Sequence, residues 1–456
     1  MKLTVRNKLA FCFGAFGKDI VYMLVNSYLL YYYNVVLGMS SVFIGAVLMG
    51  ARIIDALNDP FMGIVVAKTR TRWGRFRPWI LSGSVLNAFT IYALFAVPRG
   101  MADSPMRVWM AVFYILWGVT YTLMDIPFWS MIPAITEPGH DREQLSSLAR
   151  SASGIGDAVP TVLTMIIVPV LSGTTALTGY WIGFKYWALI VAAVFVISEV
   201  VFVLNVPEKK PTEMKSVGIG EMFRSLFRND QAMCVVIAVI LVYLALDIVG
   251  NLILYFFQFD LGNTDVYSVF TAGCFLAQVI FMMLVPAFRK KTDKLRLFSI
   301  GILVQILGFA ILLGFAFSGI YKGSWGILML PGIMVNAGYG VLNVLLTIFL
   351  SDSVDYGELK NGTREESVIF SMQTFTVKLA SGVAAFLSGV AIDMIGLDTE
   401  AAAQSAATLN GLRIWMTIPS AVILIAAFLV FKRFYKLDDK RMEEISQKIS
   451  AGGKTR

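Results

Sequence analysis

In the stretch ARIIDALNDPFMGIVVAKTRTRWGRFRPWIL, residues 51–81, Asp55 and Asp59 stand four residues apart inside an otherwise apolar run. On a helix that spacing stacks both carboxylates on one face, with Arg52 on the same face three residues earlier. Two carboxylates held that close repel one another, and a monovalent cation (Na+, Li+ or a proton) relieves the repulsion. Asn58 and Thr122 supply neutral oxygens, completing a hard, oxygen-rich shell that would hold Na+ at Asp55 and Asp59. The same side chains also suit a structural ion-pair network between helices with Arg52 as counterion, and spacing does not separate the two readings.

A second group has a different chemistry. The segment YTLMDIPFWSMIPA, residues 121–134, places Asp125 in mid-run and Trp129 one helical turn later on the same face. A carboxylate accepts hydrogen bonds from sugar hydroxyls, and a flat ring covers the C–H face of a pyranose. Trp129 alone would read as membrane packing or an interface belt; Asp125 on its face favours a carbohydrate, with Asp19 and Arg150 as further hydrogen-bonding groups. His140 is the only histidine and lies in the polar segment EPGHDREQ, so an intramembrane histidine relay is excluded. Any transported proton must ride on carboxylates.

The elements that position these groups are membrane helices. The chain is 57% hydrophobic and 15% charged, with mean hydropathy +0.72, whereas soluble domains are near one-quarter charged. Runs long enough to cross about 30 Å of hydrocarbon as helices fall at 9–37, 41–67, 77–97, 107–134, 147–171, 183–205, 232–256, 266–288, 295–317, 325–351, 368–395 and 411–432. The first follows the short basic MKLTVRNK, is too long for a signal-peptide core and lacks a small-residue cleavage site, so it reads as a retained helix. The fold class expected is all-α integral membrane, with twelve transmembrane helices in two six-helix bundles. The N-terminal bundle covers 1–205, a cytoplasmic linker 206–230, the C-terminal bundle 231–432 and a cytoplasmic tail 433–456. Basic loops after the second and eighth runs, KTRTRWGRFRP and FRKKTDKLRL, suggest an internal repeat, although each is also an ordinary basic loop.

Of the 38 Lys and Arg residues, Lys18, Arg52, Arg150 and Lys378 fall inside runs, and Arg99, Arg107, Lys185, Lys322 and Arg413 fall on one side. The rest fall on the other, which places both termini of a multi-pass protein in the cytoplasm. The net charge of +8 therefore reports topology, with no nucleic-acid partner and no obligatory protein partner expected. Cys12, Cys234 and Cys274 sit in apolar runs without metal-ligand spacing and read as reduced packing residues. No loop exceeds about 25 residues or carries a nucleotide or metal motif, so the chain reads as a transporter rather than an enzyme, needing no cofactor beyond a co-transported Na+, Li+ or H+.

Lys18, Asp19, Arg52, Asp55, Asp59, Asp125, Arg150, Asp157, Asp247 and Lys378 all fall within runs. Each costs about 2.5–3.5 kcal/mol at the bilayer centre, so they must face one another or water. The first half holds the excess of acid, and Lys378 in the eleventh run needs a carboxylate partner, for which that acidic cluster is the expected source. Asp352, Asp355 and Glu358, in SDSVDYGELKNGTREES, read either as a loop that pairs with the basic loop at 68–77 or as a solvated loop, and the sequence does not choose between them.

Five segments carry a family likeness: FGAFGKD at 13–19, RIIDALNDPFMG at 52–63, TRTRWGRFRPWIL at 69–81, YTLMDIPFWS at 121–130 and SDSVDYGE at 351–358. In order and across residues 5–435, the chain resembles the glycoside–pentoside–hexuronide:cation symporters, a branch of the major facilitator superfamily. The resemblance implies the major facilitator fold and symport, by alternating access, of a small glycoside such as the α-galactoside melibiose with a monovalent cation. It implies Asp55 and Asp59 as cation ligands, with Asn58 and Thr122 influencing cation choice. It implies Asp19, Asp125, Trp129 and Arg150 as sugar contacts beside Lys18 and Tyr121, and Lys378 as associated with the cation site. Asn343 stands where melibiose-carrying members have tryptophan, and Asp157 and Asp247 are additional acids. A pentoside or glucuronide is the alternative cargo, since Lys18 and Arg150 suit an acidic sugar; a lysolipid fits a cavity lined by Asp19, Asp125 and Arg150 less well.

Overall fold

Lipid offers no hydrogen-bond partner to a peptide group, so apolar runs of this length must satisfy their backbone internally as helices. In the computed structural model the described residues are 3–174, 179–208, 224, 227–263, 265–362, 364–398 and 403–452, without the side chains of 41, 42, 52, 53, 56, 57, 265 and 450–452. The long helices are α1 (Val5–Tyr31), α2 (Ser41–Lys68), α3 (Arg77–Phe95), α4 (Asp103–Ile135), α5 (His140–Ser172), α6 (Tyr180–Asn205), α7 (Asp230–Tyr255), α8 (Asp265–Arg289), α9 (Lys294–Ser318), α10 (Met329–Asn361), α11 (Glu366–Met394) and α12 (Ala406–Phe434), followed by α13 (Asp439–Gly452). Among the described residues eleven helices are long and apolar enough to cross a membrane, and α2 is a further helix of 28 residues. Residues 209–223, 225 and 226 of the expected linker lie outside the described residues.

The chain forms two compact units. One comprises Met1–Glu137, Leu148–Arg224 and Glu365–Phe375; the other comprises Pro138–Ser147, Ser225–Arg364 and Thr376–Arg456. In the first, α1 packs on α6, α3 on α4 and α6, and α2 on α4. In the second, α10 packs on α8 and α9, and α12 on α7 and α9.

An internal repeat is visible in both sequence and hydrogen bonding. Residues 31–38 read YYYNVVLG and residues 255–262 read YFFQFDLG, ending α1 and α7 in π-helical turns, Tyr32–Val36 and Phe256–Asp260. In each turn the same bonds close it: Leu37 N–H to Tyr32 O at 3.1 Å and Met39 N–H to Tyr33 O at 2.8 Å, Leu261 N–H to Phe256 O and Asn263 N–H to Phe257 O both at 3.0 Å. Each turn buries an edge-on aromatic pair, Tyr32–Tyr33 with ring centroids 5.3 Å apart and Phe256–Phe257 at 5.9 Å. The repeat is thus carried by the ends of the first helices, a stronger signal than the basic loops.

Two helices run further than their apolar runs. α5 begins at His140, and α10 continues past Leu350 to Asn361, so the expected loop at 351–361 is helical. The reason is ion pairing within the second unit. Arg142, fully buried, reaches Asp352 at 2.8 Å and Asp355 at 2.7 Å. Lys294 reaches Asp352 at 2.6 Å, and Arg364 reaches Asp355 at 2.7 Å and Glu358 at 2.5 Å. The basic loop at 68–77 belongs to the first unit. That loop is tied down within the first unit: Arg75 pairs with Glu366 at 3.0 Å, and the Glu208 carboxylate accepts from the backbone N–H groups of Arg75 at 2.5 Å and Phe76 at 3.2 Å, at the start of α3. Burial raises the Glu208 pKa above the ordinary carboxyl value, against the pull of those N–H groups.

Candidate functional site

The sequence-predicted cation group lies in the first unit, on α2 and α4. Asp59 is fully buried and accepts from the Thr122 hydroxyl at 3.0 Å. One turn back on each helix, Asp55 lies against Gly118 so closely that a Cβ there would collide with its Oδ1. The helices are therefore in register, Asp55 with Gly118 and Asp59 with Thr122. Pro60 has no N–H to give the carbonyl of residue 56, which leaves one more hard oxygen on this stretch of α2. Asn58 has a buried Nδ2 without a hydrogen-bond partner; its Oδ1 is the atom suited to a cation. The Arg52 side chain lies outside the described residues. Gly118→Ala is expected to push the Asp55 carboxylate aside and weaken Na+ affinity without removing a ligand, raising the Na+ concentration for half-maximal uptake about 10-fold, roughly 1.4 kcal/mol; an unchanged Na+ dependence would refute this placement.

The predicted sugar contacts also converge within the first unit. The Lys18 ammonium lies 2.6 Å from Asp19 Oδ1, 2.9 Å from Asp125 Oδ1 and 3.3 Å from the Tyr121 hydroxyl. Tyr121 in turn donates to Asp19 Oδ1 at 3.0 Å. Two cations lie over the Trp129 ring, the Arg150 guanidinium 3.7 Å and the Lys18 ammonium 4.9 Å from its centroid. Lys18, Asp19, Asp125 and Trp129 are all buried. Ser153 donates to Asp19 Oδ2; it lies one turn after Arg150 on α5 and is a member that sequence reading missed, since a lone serine carries no hydropathy signal. A ligand hydroxyl must compete with Lys18 for both carboxylates, and a ring stacking on a cation-covered face of Trp129 must displace that cation.

The second unit carries the repeat-related counterpart without charge. Asn343 Nδ2 donates to the hydroxyls of Tyr243 and Tyr339, each at 3.2 Å. Asp19 plus the repeat offset is Tyr243, and Tyr339 and Asn343 have on α10 the four-residue spacing of Tyr121 and Asp125 on α4. Asn343, where the family likeness expects tryptophan, is thus hydrogen-bonded between two tyrosines. Asp247 is one turn beyond Tyr243 on α7, and Asp157 one turn beyond Ser153 on α5. Lys378 is half-buried on α11 in the second unit.

The acid that sequence reading missed is Glu199. It sits in α6 with no exposed surface, and neither carboxyl oxygen has a hydrogen-bond partner. Its neighbours in VISEVVF are apolar except Ser198, so averaged hydropathy conceals it, although it is a single charge within an apolar run.

Residues 10–439 match the family model described as MFS/sugar transport protein. The chain is 28% identical to the lactose permease of Lactobacillus delbrueckii subsp. bulgaricus, over 98% of this chain and 73% of that one. It is 28% identical to the isoprimeverose transporter of Lactiplantibacillus pentosus, over 97% of this chain and 91% of that one. Among solved structures, the proton:xylose symporter XylE bound to 6-bromo-6-deoxy-D-glucose aligns with TM-score 0.68 at 16% identity, covering 94% of this chain and 95% of that one.

Proposed function

Because the chain belongs to the glycoside–pentoside–hexuronide:cation symporters of the major facilitator superfamily, we propose that it carries an α-galactoside such as melibiose together with Na+, Li+ or H+. It is a multi-pass sugar:cation symporter and not an enzyme; the sugar, the cation and the residues that hold them are our reading. The observation that carries the reading is the sharing of α4. Thr122 bonds Asp59 of the acid pair, and three residues later Asp125 bonds Lys18 of the polar cluster. A cation neutralising Asp55 and Asp59 shifts the same helical turn that presents Asp125, so cation binding raises sugar affinity, and sugar raises cation affinity by the same factor. Alternating access then moves both cargoes, with the chain in a bacterial inner membrane and both termini cytoplasmic. No cofactor takes part.

A glucuronide or pentoside is the second reading, favoured by the two cations, Lys18 and Arg150, that lie over the Trp129 ring. One experiment separates them. In right-side-out membrane vesicles, labelled melibiose uptake is expected to rise with an inward Na+ gradient and to be competed by other α-galactosides. Competition by glucuronides or xylosides with galactosides inert would overturn the galactoside reading.

A further inference from the structure

Among the described residues Glu199 is the one carboxyl with both oxygens buried and outside any hydrogen bond. Its position follows from close helix contact. At Gly17 α1 approaches α6 so tightly that a Cβ would overlap the Ser198 hydroxyl; the two helices are antiparallel, with Arg6 against Asn205 and Gly14 against Phe202, so Lys18 and Glu199, each one residue from this contact, lie about 3 Å apart in level along the helix axes. The charged groups within electrostatic reach of Glu199 are Lys18 and Asp19 of α1 and Asp125 of α4; α3 and α5, which also touch α6, contribute none.

An ammonium has three N–H donors. Lys18 donates to Asp19 and Tyr121 and forms a second ion pair with Asp125, and no hydrogen bond reaches Glu199. An ionised carboxylate buried without a donor costs several kcal/mol, far more than keeping its proton. Two carboxyl groups already share the single charge of Lys18, and an ionised third would add repulsion.

We propose that Glu199 is a proton-binding site, distinct from the Asp55–Asp59 pair, whose proton is exchanged against the Lys18 ammonium. While Lys18 is engaged by Asp19 and Asp125, Glu199 is protonated. When those carboxylates are taken by other donors, Lys18 turns to Glu199, the Glu199 O–H bond breaks and the proton leaves to water. That ligand hydroxyls are the natural competing donors rests on the glycoside reading; the proton site and the exchange do not.

The test uses the full chain in lipid bilayers, free of sugar and alkali cation, read by infrared difference spectroscopy at pH 7. The wild-type chain should show the C=O band of a protonated carboxyl, and Glu199→Gln should lose one carboxyl's worth of that intensity. Glu199→Asp, which retains the acid on a shorter arm, should shift the band and covers the case in which the glutamine variant does not fold. Doubly substituted Asp19→Asn/Asp125→Asn protein frees Lys18 and should lose the Glu199 band at pH 7, with recovery only at lower pH. An unaltered band in Glu199→Gln or Glu199→Asp would place the proton elsewhere and overturn the site. A Glu199 band that survives in the double variant would overturn the exchange. Neither readout involves transport, so failure of the glycoside reading shows separately, as absence of melibiose binding by the wild-type chain.

Discussion

Replacing Asp59 by Asn is expected to abolish the acceleration of sugar uptake by an inward Na+ gradient. Asp59 is fully buried and bonded to Thr122, with Asp55 one turn away. The substitution keeps shape and a hydrogen-bonding amide but removes one of two negative charges, and with it the repulsion that a cation would relieve. Coupling free energies between two ligands are typically about 1–3 kcal/mol, so the lost stimulation corresponds to about 5- to 150-fold. The measurement is the initial rate of labelled melibiose uptake in vesicles with and without the gradient. Uptake that still accelerates with Na+ in Asp59→Asn would refute the cation assignment. Sugar binding measured without alkali cation is expected to change far less, because Asp59 bonds Thr122, whereas Lys18 bonds Asp19 and pairs with Asp125.

The second large effect is on sugar affinity itself. Asp125→Ala is expected to abolish detectable melibiose binding even at saturating Na+. Asp125 is buried against Lys18 at 2.9 Å, one turn from Trp129. Hydrogen bonds to a charged group contribute about 1.5–3 kcal/mol, which is about 10- to 150-fold in affinity for each one lost. Lys18 would remain bonded to Asp19, so the truncation does not strand the ammonium, and loss of binding is not explained by an uncompensated buried charge. Retained affinity in Asp125→Ala, measured by equilibrium dialysis of purified protein, would sink the sugar-site reading. The two variants differ in kind: one is expected to lose its response to Na+, the other its affinity for sugar.

Much of this was legible in the residues. Hydropathy finds α3 and α6 to within a few residues, where Pro98 and Pro207 follow the end of the run. It fails at α5 and α10, because a helix continues into charged sequence whenever partners neutralise the charges. Those partners, Arg142 for Asp352 and Arg364 for Glu358, are supplied by other parts of the chain. Helical periodicity places Asp55 with Asp59, and Asp125 with Trp129, on shared faces. It says nothing of which face of another helix lies opposite, so the pairing of Lys18 with two acids, the closeness of Gly118 to Asp55 and the solitude of Glu199 were out of its reach. The repeat was legible too, in YYYNVVLG and YFFQFDLG, but the match becomes persuasive only when both segments close the same π-helical turn.

By itself the sequence determined the solvent, the number of long helices and most of the residues carrying charge into them, because insertion into lipid depends on each segment's own composition. The tertiary structure alone decided which charges are matched: Lys18 is consumed by Asp19 and Asp125, and Glu199 is left with none. Electrostatic partnership in a low dielectric depends on distances of a few ångströms between helices distant in the chain, and those distances are set by how the helices pack.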